Sequence, residues 1–194
     1  MRSFNFKGEG WKGDFFKQQE MDSKINIRQV KFEEAAGLAK LSAELFSETF
    51  AHLNDPQDMQ QYLEESFNLE KIREELNDPD TYCFYAIKNS IPVGCIKLIL
   101  HQTHASFTGI KTAELSRLYV CKAYHNQKIG AALMQFAIDF ALKNQAEKLW
   151  LGVWEHNQKA IDFYHKWGFT KTNTHPFVLG NDVQEDWLME KKLS

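Results

Sequence analysis

Apolar residues recur along this chain at two spacings, one typical of helices and one typical of strands. The pattern over residues 25–30 predicts a first strand, and the stripe over residues 38–53 has helical spacing. A second helical stripe covers residues 59–67, and a further one follows Asn68, a residue type that caps helix N-termini. The motif Asp78-Pro79-Asp80 ends this helical half of the chain.

The second half of the chain is rich in strand patterns. Residues 82–88 and 92–100 flank the tight junction Asn89-Ser90, which predicts a hairpin, and residues 101–111 read as a loop. Later strands are predicted at residues 114–121, 149–154, 169–179 and 186–192, and helices after the turn at Gly130 and over residues 157–167. The predicted order is β-α-α-β-β-β-α-β-α-β-β.

Length and composition fit one domain with a short extension. At 194 residues the chain can bury about 70% of its unfolded surface, enough for a single core. Residues 1–24 show no clear period and are expected to lie outside the domain, which spans residues 25–194. They lack the apolar segment of a secretory signal, and no run approaches the ~18 apolar residues of a membrane span. We therefore expect a soluble protein with no membrane partner.

Charge and cysteine positions argue against some classes of function and indicate a compartment. The net charge of −3 argues against a nucleic-acid surface, which normally has a basic excess. The three cysteines lie in apolar, strand-like runs, where free cysteine behaves as a small buried hydrophobe. Their spacing contains no metal motif, so no metal is expected. A reducing cytoplasm is the expected compartment.

A strand, a turn and a helix over residues 114–142 form the most informative segment. Gly130 lies where the helix begins, and the first amides of a helix lack intrahelical acceptors and attract anions. A glycine at such a turn is also common for conformational reasons alone. The segment matches neither GxxxxGK[ST] nor GxGxxG, which argues against nucleotide hydrolysis and hydride transfer.

The segment QKIGAA resembles the pyrophosphate loop Q/R-x-x-G-x-G/A of GNAT acetyltransferases, although many members have glycine in place of Lys128. The resemblance implies acetyl-CoA as co-substrate. It also implies that the backbone of β-strand residues Leu118, Tyr119 and Val120 pairs with the pantetheine arm. The residues expected around the pyrophosphate are Gln127, Lys128, Ile129, Gly130, Ala131, Ala132 and Leu133.

A second motif lies over residues 157–169. By itself it predicts a helix capped by Asn157, packed through an apolar face and ended by Gly168. It also resembles the closing GNAT motif N-x-x-A-x-x-F/L-Y-x-x-x-G-F, which adds Asn157 to the expected cofactor-binding residues. The implied fold is α/β (α+β), a single mixed, mostly antiparallel sheet of about seven strands flanked by helices. A splayed central strand pair would hold acetyl-CoA.

The resemblance also implies catalytic roles. Tyr164 matches the tyrosine that protonates the leaving thiolate, and packing is the alternative role for it. Glu114 matches a frequent position for the base, with a water chain or a plain strand carboxylate as alternatives. The run of seven acidic residues between Glu64 and Asp80 reads either as a solvated face or as part of a cleft for a cationic acceptor.

The tail HPFVLGNDVQEDWLMEKKL and the run LWLGVWEHN are similar to bacterial polyamine N-acetyltransferases of the PaiA type. This similarity implies a small-molecule amine such as spermidine or spermine as substrate. Alternatives are a protein lysine or N-terminal acetyltransferase and a non-catalytic acetyl-CoA sensor. A DNA-binding module is disfavoured because no helix-turn-helix with a basic face is evident. The resemblance leaves a homodimer open.

Overall fold

The computed structural model describes residues 25–101, 107 and 109–193. The predicted extension and most of the predicted loop at residues 101–111 lie outside the described residues. Within them, no helix is long and apolar enough to cross a membrane.

Three helices, instead of the predicted two, follow the first strand. Asp55 caps the second of these helices, because its carboxylate accepts a hydrogen bond from the Gln57 amide at 2.8 Å and Pro56 occupies the first turn. Asn68 caps the third in the same way, through the Lys71 amide at 2.8 Å. The predicted order was one helix short, because the cap at Asp55 begins a helix separate from the one before it. The elements are β1 (Asn26–Gln29), α1 (Ala35–Phe50), α2 (Pro56–Ser66) and α3 (Leu69–Asn77).

The rest of the chain follows the predicted order. Asn89 and Ser90 both have positive φ, of 50° and 62°, which is the geometry of a two-residue hairpin turn. The last strand begins at Asp182, four residues earlier than predicted. The remaining elements are β2 (Thr81–Lys88), β3 (Ile91–Leu100), β4 (Thr112–Val120), α4 (Ile129–Lys143), β5 (Lys148–Trp154), α5 (Gln158–Lys166), β6 (Thr170–Leu179) and β7 (Asp182–Lys192).

The seven strands form one sheet in the order β1-β2-β3-β4-β5-β7-β6. Every neighbouring pair is antiparallel except β4 and β5, which are parallel. The predicted fold class, a single mixed and mostly antiparallel sheet with flanking helices, is confirmed.

Helices cover both faces of this sheet. The larger core includes Leu133, Met134 and Ala137 of α4 against β2 to β5, together with Ile161 of α5. A second core on the other face holds α1 and α3, for example through Ile72, which is fully buried. The parallel pair β4–β5 therefore lies in the middle of the molecule, with helices on either side.

Two of the three cysteines lie in the second core. Burial raises the pKa of the Cys83 thiol to about 12 and that of Cys95 to about 11. These thiols stay protonated at neutral pH and behave as apolar side chains. No cluster of metal-ligating side chains occurs among the described residues.

Candidate active site

The central strands β4 and β5 separate after a short stretch of pairing. They pair from Thr112 and Lys148 up to Glu114 and Trp150, and among the described strand residues their pairing ends there. Beyond this point β4 continues along β3, and β5 continues along β7. The strands diverge and open a cleft of about 900 Å³. The main chain of β4 beyond Glu114 forms one wall of this cleft.

A turn with left-handed backbone leads from β4 to α4 at one end of the cleft. Asn126 and Lys128 have φ of 63° and 61°. The amide of Ala132 donates to the Lys128 carbonyl at 2.9 Å, so the helix's own hydrogen bonds begin there. The three preceding amides, of residues 129–131, are first-turn amides without an intrahelical acceptor, and these three residues line the cleft. This end is built to receive an anion.

The predicted cofactor residues divide into two groups. Gln127 is exposed, and its side-chain oxygen accepts a hydrogen bond from Lys88 Nζ at 2.6 Å. The Leu133 side chain is fully buried in the core, and Ala132 lies one turn inside α4. These three are outside the set that lines the cleft. The residues that do line it are Leu118, Tyr119, Val120, Lys128, Ile129, Gly130, Ala131 and Asn157.

Positive charge gathers at the same end of the cleft. Lys128 and Lys159 both line it, and Lys159 Nζ lies 3.3 Å from His125 Nδ1. The other ring nitrogen of His125 lies 2.9 Å from the Val120 carbonyl oxygen, which fixes the ring beside the turn. Lys159 was missed by sequence analysis, because its position on an exposed face of α5 gives no signal of the turn that it approaches in space.

Tyr164 lines the cleft from α5, further from the charged turn. The Asn157 side chain caps this helix by accepting from the Ala160 amide at 3.2 Å. The Tyr164 ring packs against Phe163 and Phe169, with ring centroids 5.6 and 5.9 Å apart. Burial raises the pKa of the Tyr164 phenol to about 12, so the hydroxyl keeps its proton at neutral pH and can donate it.

Glu114 lies at the fork between β4 and β5 and lines the cleft. Burial raises the pKa of its carboxyl, and this effect is opposed by the charge of Lys97 and by a hydrogen bond from Ser116. Ser116 is the extra residue of a β-bulge in β4, since Lys97 pairs with Arg117 and Leu98 with Leu115. A carboxylate with a raised pKa in a cleft is a suitable proton acceptor near neutral pH.

A second carboxylate, Asp186 of β7, lines the same cleft. It pairs in register with His175 of β6, and both side chains extend over Gly152 of β5. A Cβ at Gly152 would lie 2.8 Å from His175 Nε2 and 3.2 Å from Asp186 Oδ2. Burial raises the pKa of Asp186 to about 6. Asp186 is not among the residues predicted from the sequence, because its local strand pattern carries no chemical motif.

A buried ion network supports the wall of the cleft next to Glu114. Arg117 donates both guanidinium nitrogens to the Glu75 carboxylate, at 2.7 and 2.8 Å, and Lys97 Nζ donates to it at 2.8 Å. The predicted acidic run therefore contributes Glu75 to an internal network. Its other members are exposed or half-buried, and none of the seven lines the cleft.

A side pocket of about 550 Å³ continues from the end of the cleft that holds Asp186. The cleft and the pocket share Trp154, His175 and Gln184 as lining residues. The pocket is acidic, since it is lined by the carboxylates of Glu155, Asp182 and Glu185. The cleft as a whole is thus cationic at the α4 turn and anionic at the opposite end.

The chain matches the model of the Acetyltransferase (GNAT) family over residues 43–169. It belongs to this family. The GNAT chain is 32% identical over 169 residues to an uncharacterised N-acetyltransferase of Lactobacillus delbrueckii subsp. lactis, covering 87% of this chain and 98% of that protein. It is also 26% identical over 172 residues to the spermidine N(1)-acetyltransferase of Thermoplasma acidophilum, covering 87% and 97% of the two chains.

A solved structure gives the same assignment. The PaiA N-acetyltransferase of Thermoplasma acidophilum, solved with coenzyme A, has a TM-score of 0.71 to the GNAT chain. The sequences are 27% identical, and the match covers 87% of this chain and 99% of that one. The protein is therefore an acetyl-CoA-dependent N-acetyltransferase, as the two sequence motifs implied.

The cleft has features that fit acetyl-CoA. The diverging edge of β4 presents main-chain groups to an extended arm, as an added strand would require. The first-turn amides of α4 and the two lysines at the turn match a diphosphate in charge. Gly130 leaves space for a close approach, because a Cβ there would find its nearest neighbour 3.9 Å away, at Phe163.

Proposed function

We propose that this GNAT enzyme acetylates a polyamine such as spermidine or spermine. The observation that carries the proposal is the charge polarity of the cleft. Lysines surround the turn at one end, while Glu114, Asp186 and the acidic side pocket occupy the other. An anionic co-substrate and a polycationic acceptor would be drawn to opposite ends of one cleft and would meet between them.

The size and position of the side pocket favour an acceptor with several ammonium groups. A monoamine needs one anionic contact, which the cleft itself supplies through Glu114 and Asp186. The side pocket adds three further carboxylates, which suits the further charges of a polyamine. They belong to Glu155, Asp182 and Glu185. The similarity to the spermidine N(1)-acetyltransferase and PaiA of Thermoplasma acidophilum supports the same substrate class.

The proposal gives each part of the site a role. Bound acetyl-CoA supplies an acetyl group activated as a thioester. The amides of residues 129–131, with Lys128, hold its diphosphate, and the main chain of Leu118 to Val120 holds the arm and polarises the carbonyl. Glu114 receives a proton from the acceptor nitrogen, and Tyr164 donates one to the departing sulfur.

Thiol release from acetyl-CoA across a panel of amines tests the substrate class. We expect spermidine to have a kcat/KM at least about tenfold above that of butylamine, which shares one primary amine but lacks the further charges. Glu155→Gln and Asp182→Asn should each lower kcat/KM for spermidine about two- to fivefold, the effect of losing an ion pair worth about 0.5–1 kcal/mol. Butylamine should be unaffected by either change.

Glu70→Gln is the matched control, because Glu70 is exposed on α3 and lies outside both the cleft and the side pocket. If a lysine peptide reacts while spermidine and spermine are inert, the acceptor is a protein and not a polyamine. Acetyl-CoA binding without turnover of any amine would support a sensor. The cytoplasmic location and the homodimer stay predictions.

A further inference from the structure

We propose that Asp186 is a second catalytic carboxylate, which takes the first proton from the acceptor ammonium, while Glu114 takes the proton released after attack. The division rests on the N-acetyltransferase activity and does not require the acceptor to be a polyamine.

The proton count of the reaction requires two proton transfers from the nitrogen, and two carboxylates line the cleft to receive them. A primary ammonium carries three N–H bonds, and the amide product carries one. One proton leaves before attack, because only the neutral amine has a lone pair. The C–N bond then forms at the acetyl carbon, the C–S bond breaks, and a second proton leaves the nitrogen. Tyr164 protonates the sulfur and is reprotonated from solvent, so one proton is released in total.

The environment of Asp186 fits the first of these steps. The residue is 9% exposed, and its Oδ1 atom has no hydrogen-bond partner among the described residues. A buried acceptor atom without a partner is costly, and an ammonium in the cleft would supply the missing donor. Asp186 lines the cleft, and its cross-strand partner His175 lines both the cleft and the acidic side pocket.

The charged groups around Asp186 hold it ready for this role. His175, from β6, stands opposite in register and favours the ionised carboxylate when protonated. Tyr62, from α2, interacts electrostatically with Asp186, and Glu114, from β4, interacts with the same His175. The arrangement leaves Asp186 largely ionised at neutral pH, with a raised pKa that suits proton acceptance.

Gly152 makes this arrangement sterically feasible. It belongs to β5, two residues beyond the last pair with β4, and pairs with Leu188 of β7. Because it has no Cβ, His175 and Asp186 can both reach across the strand into the cleft. Glu114 approaches from the other side of the fork. The two carboxylates therefore line one cleft from different strands, so that each can take a separate proton from the same nitrogen.

Two amines of similar size separate the steps. Ethylamine is a cation at neutral pH and needs the first deprotonation, whereas 2,2,2-trifluoroethylamine is already neutral there. With ethylamine, Asp186→Asn should lower kcat/KM about a hundredfold or more, the usual effect of removing a general base. With trifluoroethylamine the kcat/KM of the same variant should fall less than about fivefold. Glu114→Gln should lower kcat/KM by the same factor with both amines. Asp139→Asn, on the exposed side of α4, is the matched control.

Amine binding gives a readout independent of turnover. In calorimetry with coenzyme A present, Asp186→Asn should weaken ethylamine binding about tenfold and leave trifluoroethylamine unchanged. Equal losses with both amines, or an unchanged rate with ethylamine, would overturn the inference. The inference would also be overturned if trifluoroethylamine restored the activity of Glu114→Gln but not that of Asp186→Asn. A failure of the polyamine panel alone, with this pattern intact, would count against the substrate class and leave Asp186 in its role.

Discussion

Glu114 and Trp150 are the last pair of residues that join β4 to β5, and the cleft opens directly beyond them. Glu114 therefore stands at the apex of the fork, and Gly152 follows two residues later on the other arm. The position of the site is fixed by main-chain pairing, since the separation of one parallel strand pair brings together groups from β4, β5, β6, β7 and α5.

The first prediction concerns the proton donor. Tyr164→Phe removes the hydroxyl and keeps the ring that packs against Phe163 and Phe169. We expect kcat to fall about a hundredfold or more, the usual contribution of acid catalysis, with little change in acetyl-CoA affinity. Tyr82→Phe is the control, because Tyr82 packs against Phe140 away from the cleft. An unchanged kcat in Tyr164→Phe would assign the ring to packing.

The second prediction separates the fold from ligand binding at Gly130. A methyl group there meets nothing closer than 3.9 Å, and alanine favours the helix by about 0.5–1 kcal/mol. Gly130→Ala should therefore leave the melting temperature unchanged or raise it, while weakening acetyl-CoA binding about tenfold by keeping the diphosphate from the amides. Gly37→Ala in α1 controls for the helix effect. Unchanged affinity would place the diphosphate elsewhere.

The third prediction tests the role of Gly152. Gly152→Ala places a methyl group 2.8 Å from His175 Nε2, closer than carbon and nitrogen can approach, so His175 must move. We expect kcat/KM for the amine to fall at least about tenfold without loss of acetyl-CoA binding. In a His175→Ala background the same change should cost less, because the nearest atom that the methyl group meets is gone and only the 3.2 Å approach to Asp186 Oδ2 is left. If the losses in kcat/KM from Gly152→Ala and His175→Ala were additive in the double variant, this arrangement would be contradicted.

The fourth prediction concerns pH and stability. The folded protein holds the Asp186 proton up to about pH 6, whereas the ordinary pKa is 3.8. Between these values the folded state binds the proton that the unfolded state releases. Stability from this group is therefore full at low pH and is lost as the pH rises through about 6. Asp186→Asn should raise the melting temperature relative to wild type more at about pH 8 than at about pH 4.

The melting temperatures of wild type and Asp186→Asn are measured at both pH values. Asp139→Asn should show no pH-dependent difference from wild type. A stabilisation that is equal at both pH values would mean that Asp186 is not held in a raised-pKa state. The expected gain in stability, combined with the loss of activity, is the behaviour of a residue kept in an unfavourable environment for function.

Local signals in the sequence were sufficient for much of the fold. Asn68 and Asn157 cap the helices that the sequence predicted for them, because capping depends on a side chain and amides two or three residues away. The number of helices was predicted wrongly where Asp55 and Pro56 supply another local cap. The strands and the hairpin at Asn89-Ser90 followed from the periodicity and the turn.

The acceptor end of the site could not be predicted from local signals in the sequence. Gly152, His175 and Asp186 meet only through the registers of β5 with β7 and of β7 with β6. The register of β6 shifts between Lys171 and Asn173, so the face on which His175 lies depends on an irregularity with no local signature. Conversely, the conspicuous acidic run left a solvated face and an acceptor surface open, whereas its buried member Glu75 forms ion pairs with Arg117 and Lys97 inside the protein.

The divergence of β4 from β5 leaves an interruption in the centre of the sheet, where most proteins are best protected from hydrogen exchange. Without ligand, we expect the β4 amides beyond Glu114 that face away from β3 to exchange faster than the paired amides of β2 and β3. A seated co-substrate would close the interruption and stabilise the fold, by about 2.7 kcal/mol at a hundred times its dissociation constant. The melting temperature would then report how much acetyl-CoA the protein encounters.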